Sequence, residues 1–521
     1  MINIRSKMKR THGNYHIYHN ESIRINKSIC NARDIRELIN IYDENKLNFN
    51  AVNISTIINR FAKLFRGNEK NFIIELIPSI MDHAQNFKPQ EISNLAWSFA
   101  KINVRNIELF ELLAEETKYK IKKFNSQNIT NLAWSFATLN ITNVGVLELL
   151  AEETKYKIKK FNSQNITNLA WSFATQNINN IELFELLAEE TKHKIKNFKS
   201  QEISNLAWSF ATLNIRNVEL FGLLAGETKY KIKNFNSQEI SNLTWSFATL
   251  YIRNKELFEL LAEETKYKIK NFNSQDIANL AWSFATLNVI DKELFGLLTE
   301  ETKYRIKDFN AQDISNLAWS FAILNMKNIE LFDILAKESI FKIKDFNYQE
   351  IANLAWSFAI LDDRNTELLE LLIKTYKGHN LQQLRQLQQV YLHCKYELRS
   401  DRLINLFSRF DFNEIKNNDI YSSSFHLDCV LHLQLLKIDH QNEINVEGLY
   451  CDIYLPDQNI IIEVNGPTHY THLDVEPLGR TVFKTRILRA MGYTVKTIPW
   501  WDWDDMDNSE EKKSYLLKLI R

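Results

Sequence analysis

The chain has 521 residues, too many for one ordinary hydrophobic core, so several domains or a repeat array are expected. Hydrophobic residues make up 45% and charged residues 25%, which is globular composition, and only 11 glycines and 6 prolines argue against an all-β fold. The 64 basic residues equal the 64 acidic ones, so a nucleic-acid partner would have to meet a local basic stripe.

The cysteines lie far apart and form neither a disulfide framework nor a zinc spacing, which favours a reducing compartment. They are Cys30, Cys394, Cys429 and Cys451. No apolar run approaches the roughly 20 residues that span a bilayer, so we expect a soluble chain without a membrane partner. No motif for a small-molecule substrate is evident.

The N-terminal segment, residues 1–50, is predicted to be a basic disordered or targeting segment. Arg5, Lys7, Lys9 and Arg10 precede the first acidic residue, Glu21, as in an organellar presequence, although any disordered basic tail has this pattern. Residues 51–88 keep the apolar spacing of the units that follow but carry Asn59 where those units carry tryptophan. We interpret this stretch as a degenerate capping repeat.

Residues 89–375 contain eight copies of a 37-residue unit, each with a tryptophan in the sequence "NLAWSFA" or a close variant. Repeats 1 to 8 are numbered by these residues: Trp97, Trp134, Trp171, Trp208, Trp245, Trp282, Trp319 and Trp356. Each unit has two helical patterns, A and B. In repeat 5 the predicted core residues are Ile240, Leu243, Thr244, Phe247 and Ala248 in A, and Leu257, Leu260, Leu261 and Tyr267 in B.

Asn236 or Ser237 is predicted to cap helix A of repeat 5, and Asn254 to cap helix B. Two-helix units of this kind bury their apolar stripes only by stacking on their neighbours. The predicted fold is therefore mainly α, an α-α superhelical solenoid of 37-residue helix pairs. Residues 376–447 are helical by pattern but outside the repeat register, which indicates a helical cap or linker.

The repeated tryptophan lies off the core stripe of helix A, on its polar arc, beside a repeated asparagine. A packing ladder between neighbouring A helices is one interpretation, because aromatic residues at helical spacing usually pack in a core. The other is a stacking platform for unpaired bases, with the asparagines at the base edges. These asparagines are Asn94, Asn131, Asn168, Asn205, Asn242, Asn279, Asn316 and Asn353.

The end of helix B repeats the lysine-rich sequence "KYKIK", from Lys118, Lys120 and Lys122 in repeat 1 to Lys342 and Lys344 in repeat 7. Stacking would align these lysines into one basic edge that could meet phosphates. Acids early and lysines late in a helix are also what the helix dipole and i,i+4 pairing favour, so a solvated face is an equal alternative.

The "NLAWSFA" units resemble the octotricopeptide and heptatricopeptide repeats of organellar RNA-binding proteins. Residues 448–521, which include "GLYCDIYLPDQNIIIEVNGPTHY", resemble the RAP domain that ends many such proteins and their FAST-kinase-domain relatives. The resemblance implies single-stranded RNA as partner, in RNA processing, stability or translation, inside a mitochondrion or other organelle. For the RAP part it implies a small α/β restriction-endonuclease-like fold.

Residues 449–455 and 460–466 alternate like two strands of a hairpin joined by "PDQN". If Leu455 pairs with Ile460, Asp452 faces Glu463. Two carboxylates directly opposite on a sheet repel each other, so they require a metal ion, a shared proton or a nearby arginine.

Resemblance to PD-(D/E)xK nucleases implies that Asp452 and Glu463 hold Mg²⁺. The nuclease motif continues Glu-x-Lys, whereas this chain reads Glu463-Val464-Asn465, so Lys484 or His469 would have to replace the missing lysine. The alternative is a non-catalytic RNA-contacting domain. In that case Arg480, Lys484 and Arg486 would meet phosphates, Trp500, Trp501 and Trp503 would close the sheet, and RNA binding would require no cofactor.

Repeats that read different bases must differ at the base-facing positions, yet the variable A-helix positions are few, at six before, four before and four after the tryptophan. Because Asn and Trp are constant, we predict weakly specific binding at about one nucleotide per repeat. Two alternatives stay open: a metal-dependent RNA endonuclease and a protein-binding scaffold, since solenoids also hold proteins.

Overall fold

The computed structural model describes residues 21–67, 70–412, 415, 423–472 and 475–521. Its contacts divide the chain into two compact units, Met1–Lys231 and Ile232–Arg521, which are described separately. The predicted presequence pattern at residues 1–20 lies outside the described residues. No helix among the described residues is long and apolar enough to cross a membrane.

Among the described residues of the N-terminal unit, five α-helices precede the helices of repeats 1 to 4. The unit contains α1 (21–31), α2 (Ile35–Asn45), α3 (Ala51–Leu64), α4 (Asn71–Glu75), α5 (Ile77–His83), α6 (Pro89–Lys101), α7 (Ile107–Lys120), α8 (Ser126–Thr138), α9 (Val144–Lys157), α10 (Ser163–Thr175), α11 (Ile181–Lys194), α12 (Ser200–Thr212) and α13 (Val218–Lys231).

The C-terminal unit continues with repeats 5 to 8 and ends in a mixed α/β domain. Its helices are α14 (Ser237–Thr249), α15 (Lys255–Lys268), α16 (Ser274–Thr286), α17 (Lys292–Arg305), α18 (Ala311–Ile323), α19 (Ile329–Phe341), α20 (Tyr348–Ile360), α21 (Thr366–Thr375), α22 (Leu381–Leu392), α23 (Asp401–Asn405), α24 (Ser424–Leu435), α25 (Gly479–Ala490), α26 (Trp500–Asp504) and α27 (Ser509–Ile520). Its strands are β1 (Gln441–Val446), β2 (Leu449–Leu455), β3 (Ile460–Asn465) and β4 (Thr494–Pro499).

The predicted solenoid of helix pairs is confirmed within each unit. The even-numbered helices α6 to α20 are the A helices of repeats 1 to 8, and the odd-numbered helices α7 to α21 are the B helices. Successive A helices of a unit pack directly on each other, and α3 packs on α6 in the same way. Asn59 of α3 donates a hydrogen bond to Ser98 at 3.4 Å, which places this capping helix in the register of the array.

The N-terminal segment is folded over its described part. Residues 21–31 and Ile35–Asn45 are helical, and Ile25, Ile29 and Leu38 are buried. The expected disorder therefore does not extend to residues 21–45, because the apolar residues there have a surface to pack on.

Each A helix starts and ends with a local signal. In repeat 5, the predicted cap Asn236 accepts a hydrogen bond from the backbone N–H of Glu239, and Glu239 accepts one from the N–H of Asn236. Helix A of repeat 2 ends with Asn140 in the left-handed conformation, φ 49°, and the N–H of Ile141 donates to the carbonyl of Phe136. This arrangement is a Schellman motif, which asparagine tolerates better than most residues.

The predicted core of helix A is confirmed, and that of helix B needs one correction. Ile240, Leu243, Thr244, Phe247 and Ala248 are all buried. In helix B, Leu257 and Leu261 are buried, Leu260 is half-buried, and Tyr267 is 78% exposed. Residue 267 falls outside the helix face that carries Leu257, Phe258, Leu261 and Thr265, so its ring projects into solvent.

The B helices of repeats 2 to 7 each bury one glutamate that joins two successive repeats. In repeat 5, Glu264 is 3% exposed and accepts from Lys268 of its own helix at 2.8 Å and from Lys233 of the preceding turn at 2.6 Å. Lys268 also donates to the main-chain carbonyl of Phe235 at 2.7 Å. The same buried acid recurs as Glu153, Glu190, Glu227, Glu301 and Glu338.

The two lysines keep this buried glutamate ionised. Burial alone would raise the pKa of Glu264, but hydrogen bonds from Lys233 and Lys268 outweigh it and leave the pKa below its ordinary value of 4.5. Stability from such a group is present above pH 4.5 and is lost as the pH falls through the lowered pKa. The repeat array should therefore weaken in acid.

The C-terminal sheet has the order β1-β2-β3-β4, with β3 and β4 parallel and the other neighbours antiparallel. The predicted hairpin is confirmed: Leu455 pairs with Ile460 and Ile453 with Ile462. One face of the sheet packs on α24 and α27 around Ile453, Ile462 and Trp503. The domain thus begins with α24 and β1, before the predicted boundary at residue 448.

Glu264→Gln should lower the free energy of unfolding by roughly 1–3 kcal/mol, because a neutral amide cannot bind two lysines as the carboxylate does. Urea unfolding at pH 7 measures this change. The matched control is Glu263→Gln, one residue earlier, whose side chain is 61% exposed and pairs only at the surface. That control should change the free energy by less than about 0.5 kcal/mol. Equal effects of the two substitutions would contradict the assignment.

Candidate functional site

A polar and aromatic stripe runs along the A helices. It consists of a glutamine seven before the tryptophan, the asparagine three before it, the tryptophan itself and the residue four after it, all on one helix face. We call this set the A-helix stripe. In repeats 1 to 7 the glutamines are exposed and the asparagines and tryptophans are half-buried. The tryptophan therefore packs with part of its ring and shows the rest to solvent.

The stripe of repeat 8 is covered by α22. Trp356 is 3% exposed, and its indole N–H donates to Gln389 at 2.7 Å. Asn353 accepts a hydrogen bond from Gln386 at 2.8 Å. Trp356 is therefore buried and the side-chain oxygen of the half-buried Asn353 is occupied, so neither group is open as predicted for an RNA-binding residue.

In repeats 1 to 7 the same groups lack such partners. Within the described parts of the chain, no hydrogen bond is made by the indole N–H or by the side-chain amide of the paired asparagine. These pairs are Asn94 and Trp97, Asn131 and Trp134, Asn168 and Trp171, Asn205 and Trp208, Asn242 and Trp245, Asn279 and Trp282, and Asn316 and Trp319. Their hydrogen-bonding groups face solvent and are available to a ligand.

Of the three variable A-helix positions, one lies on the stripe. The residue six before the tryptophan closes the capping box, as Glu239 does in repeat 5. The residue four before it, Ser241 in that repeat, is buried. The residue four after it lies beside the ring: in repeat 1, Lys101 lies over Trp97 at 4.9 Å from the ring centroid.

The predicted basic edge of "KYKIK" lysines is largely neutralised. Lys266 of repeat 5 contacts Glu263 at 2.8 Å and Glu293 of the next repeat at 2.8 Å. Lys268 and Lys233 hold the buried Glu264. The interpretation as a structural, solvated face is thus supported for these lysines.

In the C-terminal domain, Lys484 of α25 forms an ion pair with Glu463 of β3. Glu463 is 3% exposed, and Asp452 accepts a hydrogen bond from the backbone N–H of the next residue, Val464, at 2.7 Å. Glu463, Lys484, His469 and Gln389 line one cavity of about 350 Å³. The structure therefore brings the predicted Glu463, Lys484 and His469 together around one cavity. Gln389, which accepts the hydrogen bond from Trp356, lines the same cavity.

Burial changes the protonation behaviour of this site. Desolvation raises the pKa of Glu463 to about 7, against the opposing effect of Lys484. Burial lowers the pKa of His469, although the nearby Asp452 opposes it. Groups with pKa values near neutrality are suited to proton transfer, but structural ion pairs show the same shifts.

The metal-ligand groups that the structure brings together differ from the predicted pair. In the described residues, Asp452 lies with His426 and Glu443, and one ligand atom of each is within 4.8 Å of the others. His426 is 3.0 Å from Glu443, and its other ring nitrogen has no hydrogen-bond partner among the described residues. Glu463 belongs to neither of the metal-ligand groups found there.

Arg486 has a different role from the predicted phosphate contact. Its guanidinium forms an ion pair with Glu397 and donates to the carbonyls of Ile360 at 2.9 Å and Ala359 at 2.8 Å, at the end of α20. A cation at a helix C-terminus is favourable. Arg486 therefore fixes the C-terminal domain to repeat 8 and is not free to bind phosphate, whereas Arg480 is exposed.

Further contacts hold this domain against repeats 6 and 7. The N–H of His472 donates to the carbonyl of Asn288 at 2.8 Å, and Lys292 pairs with Glu476 at 2.6 Å. Gly479 starts α25 so close to α18 that an added Cβ would lie 1.9 Å from the carbonyl oxygen of Ala322. Only glycine permits this approach, so α25 is seated on the ends of the A helices.

Comparison with known proteins gives two matches along the chain. Residues 32–292 and 198–393 match the family described as RNA-editing substrate-binding complex 6 protein, and together they cover more than half of the chain. The chain belongs to the RNA-editing substrate-binding complex 6 protein family. Residues 462–519 match the RAP domain. The predicted combination of helical repeats and a C-terminal RAP domain is thereby confirmed.

One relative of this family member is a RAP domain-containing protein, chloroplastic, from Oryza sativa subsp. japonica. The two are 26% identical over 103 residues, which is 20% of this chain. The match spans only 16% of the length of that relative. It therefore concerns a domain and not the whole protein.

In this RNA-editing substrate-binding complex 6 family member, the two matches contain different groups of the predicted functional residues. The repeat match contains every stripe residue of repeats 1 to 8. The RAP match contains Glu463, His469, Arg480, Lys484 and Arg486, whereas Asp452 lies before it. Sequence reasoning missed the glutamines of α22, although their spacing of three residues was visible in "QLRQLQQ".

Arg486→Gln should loosen the RAP domain from repeat 8 and cost about 3 kcal/mol, since Glu397 loses its cationic partner in a buried site. Faster limited proteolysis between repeat 8 and the RAP domain would report this release. Arg480→Gln, on the exposed side of the same helix, is the control. The protease should cleave this variant at the wild-type rate. Unchanged proteolysis of the Arg486 variant would contradict the docking role.

Proposed function

We propose that this protein binds single-stranded RNA along its A-helix stripe, with about one nucleotide per repeat, and acts in RNA processing, stability or translation in an organelle. The name of its family associates that family with an RNA-editing substrate. The rice relative of the RAP domain is described as chloroplastic. The first description supports an RNA-related role and the second an organellar location, and the stripe provides a physical surface for RNA.

The observation that carries the proposal is the set of hydrogen bonds made by the stripe residues of repeat 8. There the indole N–H binds the carboxamide oxygen of Gln389, and Asn353 binds the carboxamide nitrogen of Gln386. Base edges present the same carbonyl acceptors and amino donors as these carboxamides. In repeats 1 to 7 the equivalent groups are open, so a base can take the place that a glutamine side chain takes in repeat 8.

The half-exposed indoles supply the second interaction. Stacking of a base on an aromatic side chain contributes roughly 1–3 kcal/mol and tolerates any base, because every base has a flat face. Asn and Trp are constant along the stripe, and the residue beside the ring is threonine in repeats 2 to 6. The variation is confined to Lys101, Ile323 and Ile360. This uniformity supports weak sequence specificity.

Phosphate contacts should be few. The lysines at the ends of the B helices are held by glutamates, so they are poorly placed to release counterions on RNA binding. Exposed loop cations such as Arg105 and Arg253 are better candidates. With a slope of about −0.7 per phosphate contacted, the log–log dependence of affinity on salt should be shallow but not flat.

Replacing Trp245 and Trp282 together by alanine should weaken binding of labelled homopolymer RNA by about tenfold or more per ring, because each loses its stacking surface. Fluorescence anisotropy at two salt concentrations measures the change. The matched control replaces Tyr267 and Tyr304, two exposed rings of the neighbouring B helices, and should bind RNA as the wild type does.

Equal losses in the tryptophan and tyrosine variants would place the RNA elsewhere. Absence of RNA binding at low salt would instead favour a protein-binding scaffold. Thermal melting of each variant separates a lost contact from a lost fold, since the tryptophans are half-buried and the tyrosines are not.

A second candidate function is a metal-dependent RNA endonuclease. The observation that favours it is the ion pair of Lys484 with Glu463. It places a lysine beside the acid, although the motif position of the lysine is occupied by Asn465. The carboxylates of Asp452 and Glu463 are oxygen ligands of the kind Mg²⁺ prefers, and bound Mg²⁺ would supply charge neutralisation and water activation. Glu463 has one buried oxygen without a hydrogen-bond partner in the described chain, which suits a ligand.

If the RAP domain is a nuclease, the wild type should cleave single-stranded RNA only with Mg²⁺, and Asp452→Asn should lower the rate by at least about a hundredfold. Gel analysis of end-labelled RNA measures both. Asp457→Asn, in the turn after β2, is the control and should cleave normally. Cleavage that persists in the Asp452 variant, or no cleavage by the wild type, would exclude this function.

A further inference from the structure

A second cavity of the C-terminal domain, about 500 Å³ in volume, adjoins the cavity that contains Glu463 and Lys484, with Thr481 and Thr485 lining both. It lies where the parallel strands β3 and β4 end and α25 passes over them. Asn465, the last residue of β3, and Thr497 of β4 form its sheet side, and Thr485 and Arg489 line it from α25. In open α/β sheets, ligands bind beyond the carboxyl ends of parallel strands.

Asn465 is the clearest sign that this cavity takes a ligand. It is 2% exposed, and its side-chain oxygen has no hydrogen-bond partner in the described part of the chain. Its side chain is therefore buried with an unpaired acceptor oxygen. An unpaired buried acceptor costs roughly 1–3 kcal/mol. A ligand that donates an N–H at this point would remove that cost.

The ring of Tyr470 forms an aromatic wall. Trp501 holds it edge to face, with ring centroids 4.6 Å apart. Tyr470 is 8% exposed and lines the cavity. A flat heteroaromatic group entering the cavity would contact both this wall and the Asn465 oxygen.

The mouth of the cavity carries a cation. Arg489 is exposed, and among the described residues its guanidinium makes one long hydrogen bond, 3.3 Å, to the carbonyl of Val495. The remaining guanidinium N–H groups can meet a phosphate in the forked geometry that arginine favours. The neighbouring Arg486 also lines the cavity, but its guanidinium is held by Glu397 and by repeat 8. It therefore forms part of the cavity wall and does not bind the phosphate.

We propose that this cavity binds one nucleotide, with the base between Tyr470 and Asn465 and the phosphate at Arg489. The volume lies within the roughly 300–1,000 Å³ of small-ligand sites. An asparagine amide recognises the amino and ring-nitrogen groups of a base edge. The nucleotide is either one residue of the bound RNA, which rests on the proposed function, or a free nucleoside monophosphate, which does not.

The test titrates the full-length protein with each of the four ribonucleoside 5′-monophosphates by isothermal titration calorimetry. At least one should bind, and Asn465→Ala should weaken it at least tenfold. Arg489→Ala, at an exposed position that is safe for folding, should weaken it about threefold or more. Arg480→Ala, on the same helix but outside this cavity, should leave binding unchanged, as should the double alanine variant of Trp245 and Trp282.

Competition with oligonucleotide RNA separates the two sources. If RNA displaces the mononucleotide and crosslinks photochemically to Tyr470, the cavity holds a nucleotide of the RNA. If RNA leaves the mononucleotide bound, the cavity serves a free nucleotide. If no mononucleotide binds and no crosslink forms at Tyr470, the cavity assignment is overturned, even where the tryptophan variants still show that the stripe binds RNA.

Discussion

The buried glutamate in the B helices of repeats 2 to 7 is the interaction on which the repeat array depends. A carboxylate with 3% exposure, such as Glu264, is unfavourable in a protein interior unless it is paired and hydrogen-bonded. Here Lys268 comes from the same helix and Lys233 from the preceding repeat, so the ionised group is satisfied only when two repeats are stacked. The apolar stripes supply attraction between repeats, and the glutamate fixes how one unit sits on the next.

This use of charge also determines which surface is left for a partner. The lysines near the ends of the B helices are occupied between repeats, and the exposed tyrosine rings beside them are covered on one face by lysine, as Lys233 covers Tyr267 at 4.9 Å. The A-helix stripe has the opposite character. Its indole and amide groups are partly exposed and lack hydrogen bonds within the described chain, because neighbouring A helices pack through small buried residues on other faces.

Repeat 8 and the RAP domain form the end of this surface. Helix α22 closes the stripe with glutamines, and Gln389 both binds Trp356 and lines the cavity of Glu463 and Lys484. Arg486 and Gly479 seat α25 against repeats 7 and 8, so the cavity is held at a fixed position relative to that end of the stripe. In the C-terminal unit, the open repeats and the RAP cavities therefore belong to one body.

The sequence by itself determined the helix pairs, their caps, the β2–β3 register and the pairing of the RAP domain with a repeat array. These features follow from local rules: a 37-residue recurrence, Asn236 and Asn254 before helices, and strict alternation on both sides of Pro456. It also placed Trp245 off the core, since one helical wheel suffices for that. The position of Tyr267 was mispredicted, because the width of the buried face depends on the neighbouring repeat.

Only the tertiary structure decided which polar groups are occupied. Lys233 and Glu264 are 31 residues apart, and Arg486 lies 89 residues from Glu397, so no local pattern pairs them. The same holds for Lys484 beside Glu463 and for the unpaired oxygen of Asn465. Charge and hydrogen bonding act over a few ångströms in space, and that distance is fixed by stacking and docking and not by separation along the chain.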